Sequence, residues 1–160
     1  MFKDNAAERF KGHAYKNGFR YSPVQPQTLF GLLRNKVKDF IASKKEIPKY
    51  YSYDEEWADI LKAAKRSNSK VLLSGFVCFD DTPRRGMRAR IIQGFSLEKF
   101  SHYLSELLLI SKEQNKEYVF LSAWNEWGEG MYLEPDVNFK YGYLASVKDA
   151  LLAAGVFREG

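Results

Sequence analysis

A chain of 160 residues, 45% hydrophobic and 28% charged, has the make-up of one folded domain, which excludes a disordered tail, a collagen-like repeat and a disulfide scaffold. Its formal charge of +5 is uneven: residues 1–50 hold 11 Lys or Arg against 4 Asp or Glu, leaving a slightly acidic remainder. With one cysteine, Cys78, and no apolar run of signal-peptide or membrane-spanning length, the chain is expected to be cytoplasmic, without a transmembrane segment.

In chain order, residues 1–27 are polar and punctuated by Gly12, Gly18, Pro23 and Pro26, and read as an irregular segment. From Thr28 to about Ser43 the residues Leu29, Leu33, Val37, Phe40 and Ile41 recur at helical spacing, before Pro48 stops any continuation. Ser52 and Glu55 form a capping box ahead of Trp57, Ile60, Leu61 and Ala64, predicting a helix from Tyr53 to Arg66. Val71 to Phe79 is nearly continuous apolar sequence, as expected of a strand buried on both faces of a parallel sheet. Ser96 caps a further helix carrying Leu97, Phe100, Leu104, Leu107 and Leu108 and ending near Asn115. Tyr118 to Ala123 reads as a second buried strand, and Tyr141 to Ala154 as a last helix closed by Gly155. Alternating strands and helices indicate an α/β fold with a parallel sheet.

The N-terminal basic excess is accompanied by no RNP signature, zinc-finger spacing or helix-turn-helix pattern. A solvated basic face is therefore the reading, with no nucleic-acid partner. Nucleic-acid binding by the first 50 residues is a third hypothesis, which predicts affinity that falls with salt. Lysine and arginine also leave contact with an anionic membrane surface open.

The densest chemistry follows the second strand, in Trp124-Asn125-Glu126-Trp127-Gly128-Glu129-Gly130-Met131-Tyr132-Leu133-Glu134-Pro135. Residues just past the C-terminal end of a strand line the active site in α/β barrels. The glycines allow a tight turn, so Glu126 and Glu129 can face one cleft. Two carboxylates in one cleft oppose each other's ionisation, which separates a proton donor from a base, the equipment of glycosyl-bond chemistry. Trp124, Trp127 and Tyr132 offer flat faces suited to the C–H side of a sugar ring. After the first strand, Asp80-Asp81-Thr82-Pro83-Arg84-Arg85 occupies the equivalent loop. Its arginines either hold a phosphate or carboxylate or neutralise the neighbouring aspartates. Neither Cys78, His13 nor His102 has Cys or His neighbours at metal-ligand spacing.

FDDTPRRG, AWNEWGEGMYLEPD and KYGYLASV, with the upstream YYSYDEEW, together resemble the WbsX family, a glycoside hydrolase family 99-like group often described as glycosyltransferases of surface-polysaccharide and O-antigen synthesis. The resemblance covers roughly Phe19 to Gly155. It implies a (β/α)8 TIM barrel acting on glycans, of which residues 28–157 are the C-terminal half, since a barrel takes about 250 residues. It implies Glu129 as general acid/base and Glu126 as the carboxylate assisting attack by the sugar's own 2-hydroxyl through an anhydro-sugar, a route that needs no metal and no cofactor. Asn125, Trp124, Trp127, Tyr132 and Glu134, with Asp80, Arg84 and Arg85, would complete the substrate site. The partners expected are a glycan or sugar donor and the missing N-terminal half of the barrel. The family commonly has Asn where this chain has Asp81, an added charge in the first loop. The second hypothesis is a non-catalytic glycan-binding or assembly module with its activity lost.

Overall fold

The computed structural model of the chain describes residues 47–68 and 71–156. The irregular segment 1–27 and the helix expected over 28–43 lie outside the described residues.

Strand β1 (Lys49–Ser52) leads into helix α1 (Tyr53–Arg66). The Ser52 hydroxyl accepts the Glu55 amide at 3.4 Å, as the capping box requires, while acidic residues fill the first turn and Lys65 and Arg66 the last. Strand β2 (Leu73–Phe76) is followed by the short helix α2 (Thr82–Arg85), a 3-10 turn, and strand β3 (Arg90–Gln93). Helix α3 (Leu97–Glu113) starts at Ser96, whose hydroxyl accepts the Lys99 amide at 3.1 Å. Strand β4 (Val119–Ser122), the two-residue strands β5 (Asn125–Glu126) and β6 (Met131–Tyr132), and helix α4 (Gly142–Ala153) complete the order. Gly155, at φ +62°, returns its amide to the Leu152 carbonyl and ends α4.

β2 and β4 pair in parallel, Leu73 opposite Val119 through Phe76 opposite Ser122. Helix α3 lies between them in sequence, so β2, α3 and β4 form a strand-helix-strand crossover of the expected kind. The turn α2 and strand β3 are insertions into that crossover. β3 pairs in parallel with β1, Lys49 opposite Arg90 through Ser52 opposite Gln93. An antiparallel bridge between Asp80 and Ile91 then ties β3 to the chain leaving β2.

The expectations need three corrections. The first strand ends at Phe76 rather than Phe79, because the chain leaves the ladder to make the bridge at Asp80. The second strand is not buried on both faces: Val119, Phe120 and Leu121 are only half-buried. The pair β1–β3 and the hairpin β5–β6 were not expected at all.

The core is aromatic. Trp57 stacks between Phe76 and Tyr103, with ring centroids 5.6 and 5.7 Å away, and Tyr53 meets Phe76 and Phe95 edge-on. Gly75 exists for this packing, since a Cβ there would lie 2.5 Å from the Trp57 ring. Leu104, Leu107 and Ile110 on α3, with Tyr143 and Ala150 on α4, extend the same cluster. Each fully buried large apolar side chain contributes about 1.5–3 kcal/mol. Polar ties close the periphery: Lys99 and Tyr103 on α3 both reach Asp54 on α1, at 2.7 and 2.8 Å, and their hydrogen bonds hold its carboxyl below the usual range. The Gln114 side chain donates to the C-terminal carbonyl of Ala64.

Candidate functional site

The parallel pair β2–β4 delivers two loops side by side. One runs from Val77 to Arg85 and the other from Ala123 to Asp136. The first bond between them is main-chain: the Asp80 amide donates to the Glu129 carbonyl at 2.8 Å. Gly130 makes the approach feasible, since it stands at φ +58° and a Cβ would come within 3.2–3.4 Å of Asp80. From the side of β2, the Cys78 thiol donates to the Gly130 carbonyl at 2.7 Å, and burial pushes that thiol up to about 11.

Within the first loop, Asp80 accepts the Thr82 amide at 2.8 Å and the Thr82 hydroxyl, forming a closed turn. Asp81 is only 1% exposed. Its carboxylate accepts the Arg90 amide at 2.5 Å and the Arg85 guanidinium at 2.8 Å. The charge at this position is thereby paired within its own loop and with the start of β3. Arg84 takes the other direction, and its Nη1 donates to Glu129 Oε1 across the two loops. Of the two roles left open for the arginines, both neutralise carboxylates. Arg85 serves Asp81, while Arg84 serves not a neighbouring aspartate but Glu129, forty-five positions on.

The second loop turns back on itself. The Trp124 carbonyl accepts both the Leu133 and Glu134 amides, at 2.9 and 3.0 Å. β5 pairs with β6, Asn125 opposite Tyr132 and Glu126 opposite Met131, with a 3-10 turn over Trp127–Glu129 between them. Trp127 lies flat on Tyr132, centroids 3.7 Å apart at 21°, and its indole N–H donates to Glu134 at 2.7 Å. Tyr132 is fixed again by donating its hydroxyl to Asp136 at 2.6 Å and by meeting Tyr143 edge-on. Burial, reinforced by the Asp136 carboxylate, pushes the Tyr132 phenol up to about 12, and the hydrogen bond from Tyr132 holds Asp136 below the usual carboxylate range.

The three expected aromatic platforms are therefore unlike one another. Tyr132 has one face covered by Trp127 and an edge against Tyr143. Trp127 is 47% exposed, and Tyr132 is its one ring contact among the described residues. Trp124, 53% exposed, has no ring contact among the described residues. Glu126 and Glu129 also differ. Glu129 is mostly shielded and bound to Arg84, whereas the Glu126 carboxylate is exposed and has no hydrogen-bond or ion-pair partner among the described residues. Gly128 connects the three groups: a Cβ there would stand 3.1 Å from Arg84 Cδ and 3.5 Å from Glu126 Oε1. Asp136, Tyr143 and Cys78, which fix the loop from behind, were not anticipated as contributors. Asp136 was adjacent to the motif, but its role depends on a hydroxyl brought close by the turn.

Among the described residues, no group of three His, Cys, Asp or Glu side chains is placed to hold a metal ion, and no helix is long and apolar enough to cross a membrane.

Fold and loops define an α/β protein with a tryptophan- and carboxylate-rich loop at the end of a parallel strand pair. The chain matches the family described as Glycosyltransferase WbsX over residues 4–147, and it belongs to that family. Two curated relatives, each named Uncharacterized protein WxcX, come from two strains of Xanthomonas campestris pv. campestris. Each is 34% identical over 79 residues, which are 48% of this chain and 11% of the relative. The match thus spans about a tenth of those relatives' length. No solved structure matches the chain.

Proposed function

We propose that the chain carries the catalytic loop of a carbohydrate-active enzyme of surface-polysaccharide synthesis, residues 28–157 forming the C-terminal portion of a (β/α)8 barrel of the glycoside hydrolase family 99-like kind. The observation that carries this reading is the placement of Glu126, Glu129, Trp124 and Trp127 on one loop at the C-terminal end of a parallel strand, tied by Asp80 and Arg84 to the loop of the adjacent strand. Family membership supports the same direction.

In the proposed chemistry, Glu129 gives its proton to the leaving glycosidic oxygen. Glu126 accepts the proton of the sugar's 2-hydroxyl as that oxygen closes on the anomeric carbon, so the bond to the leaving group breaks and a 1,2-anhydro-sugar forms. Attack by water or an acceptor hydroxyl reopens the ring: Glu129 takes the attacking proton and Glu126 returns its own to the 2-oxygen. The unlike settings of the two carboxylates support unlike roles. The ion pair with Arg84 suits the base role of Glu129. For proton donation the proton sits on Oε2, so Oε1 can keep its bond from Arg84. Trp124 and Trp127 cover the apolar side of a sugar ring, and Asn125 and Glu134 supply polar contacts at its rim.

The test is turnover of α-linked manno-oligosaccharides by the full-length polypeptide, with and without nucleotide-sugars, read by mass spectrometry. Glu129→Gln is expected to abolish turnover while glycan binding persists. Unchanged turnover overturns the assignment, and turnover only with a nucleotide-sugar makes the enzyme a transferase.

A further inference from the structure

We propose that Arg84 is a positioning residue for Glu129, and that Gly128 is the clearance its side chain requires. The inference rests on the acid/base reading of Glu129 and adds a residue from a different loop to that machinery. Three observations converge. Arg84 Nη1 donates to Glu129 Oε1, joining the loop after β2 to the loop after β4. The aliphatic stem of Arg84 passes so close to Gly128 that a Cβ there would be 3.1 Å from Cδ and 3.4 Å from Cγ, tighter than ordinary packing. Gly128 does not stand at positive φ, so its need for glycine is set by the neighbouring side chain and not by the backbone angle.

The helix that presents Arg84 is itself braced. The Arg84 and Arg85 amides both donate to the Asp81 carbonyl, at 3.0 and 2.9 Å, and Asp81 is locked in place by Arg85 and the Arg90 amide. Adjacent arginines thus divide the labour. Arg85 secures the base of the turn, and Arg84 reaches forward from it to aim the Glu129 carboxylate. An arginine suits this task because its planar fork holds an acceptor in direction as well as distance, which a lysine does less strictly.

The experiment uses the 160-residue chain labelled with 13C at glutamate carboxyls, the resonances of Glu129 and Glu126 being assigned with Glu129→Gln and Glu126→Gln. In Arg84→Met, which keeps the stem and removes the fork, the Glu129 resonance is expected to move by more than its linewidth, with those of Glu98 and Glu113 on α3 unmoved. Arg84→Lys is expected to return it partway to the wild-type position. A Glu129 resonance unchanged in Arg84→Met, or no recovery in Arg84→Lys, overturns the proposal. Gly128→Ala gives a second route should Arg84→Met fail to fold: it displaces the stem with every charge retained, and the same resonance must move. Turnover retained by Glu129→Gln would remove the acid/base reading and leave these resonances as they are, so the two failures are distinguishable.

Discussion

The aromatic core reaches β2 at Phe76, which pairs with Ser122 just ahead of the carboxylate loop, yet core and loop are held by opposite means. Around Trp57 the contacts are ring against ring, non-directional and closely packed, with Gly75 fitted beneath the indole. Around Glu129 almost every tie is a directional hydrogen bond: amide to carbonyl at Asp80, thiol to carbonyl at Cys78, indole to carboxylate at Trp127, guanidinium to carboxylate at Arg84. The core depends on volume and the loop on direction. A substitution that empties space should therefore unfold the first, whereas one that only removes a charge should leave the second folded and misaligned.

The largest effect is expected in the core. Trp57→Ala removes a fully buried ring and should cost about 3–5 kcal/mol, read as a lowered denaturant midpoint. Asp81→Ala comes next, at about 2–3 kcal/mol, since it leaves the part-buried Arg90 amide without its acceptor and unpairs Arg85. A cost near zero would show that the turn before α2 is not the foundation of the loop layer. Gly130→Ala should cost about 1–2 kcal/mol from its left-handed backbone alone, with crowding against Asp80 added.

Acid should distinguish the regions further. Asp136 is held below the ordinary carboxylate range, chiefly by the Tyr132 hydroxyl. Its stabilisation is therefore fully present above the unfolded carboxylate value of about 3.9 and is lost as pH falls through the folded value. Asp136→Asn lacks that term, so its stability gap to wild type should narrow as pH drops below about 4. A gap constant from pH 7 to pH 2.5 would contradict the origin assigned to the shift. The smallest effect on stability is expected from Arg84→Met, under about 1 kcal/mol, because the guanidinium is half-exposed and screened. Loss of several kcal/mol would make Arg84 part of the frame and blur the contrast.

Legibility in the sequence divides along a related line. The helices were readable because their signals are local: Ser52 before Trp57, Ser96 before Leu97, Gly155 after Ala154, with apolar residues at three- and four-residue spacing. Strands β1 and β3 were not, since Lys49–Ser52 and Arg90–Gln93 are four residues each with one charged end, and their status comes from pairing with one another. The residues of the carboxylate loop were visible as a cluster because Trp124, Glu126, Trp127 and Glu129 are consecutive or nearly so. Its internal wiring was not: that Arg84 reaches Glu129 and passes close to Gly128 depends on side-chain approach between two loops, and that Trp127 donates to Glu134 depends on how one loop turns back on itself.

Cys78 supplies the loop with its own reporter. Its thiol is turned onto the Gly130 carbonyl and burial pushes its ionisation up to about 11, so near neutrality alkylation is slow while that contact is kept. The rate of labelling at this single thiol then times the separation of the carboxylate loop from β2. That clock runs without a substrate, a cofactor or a turnover assay.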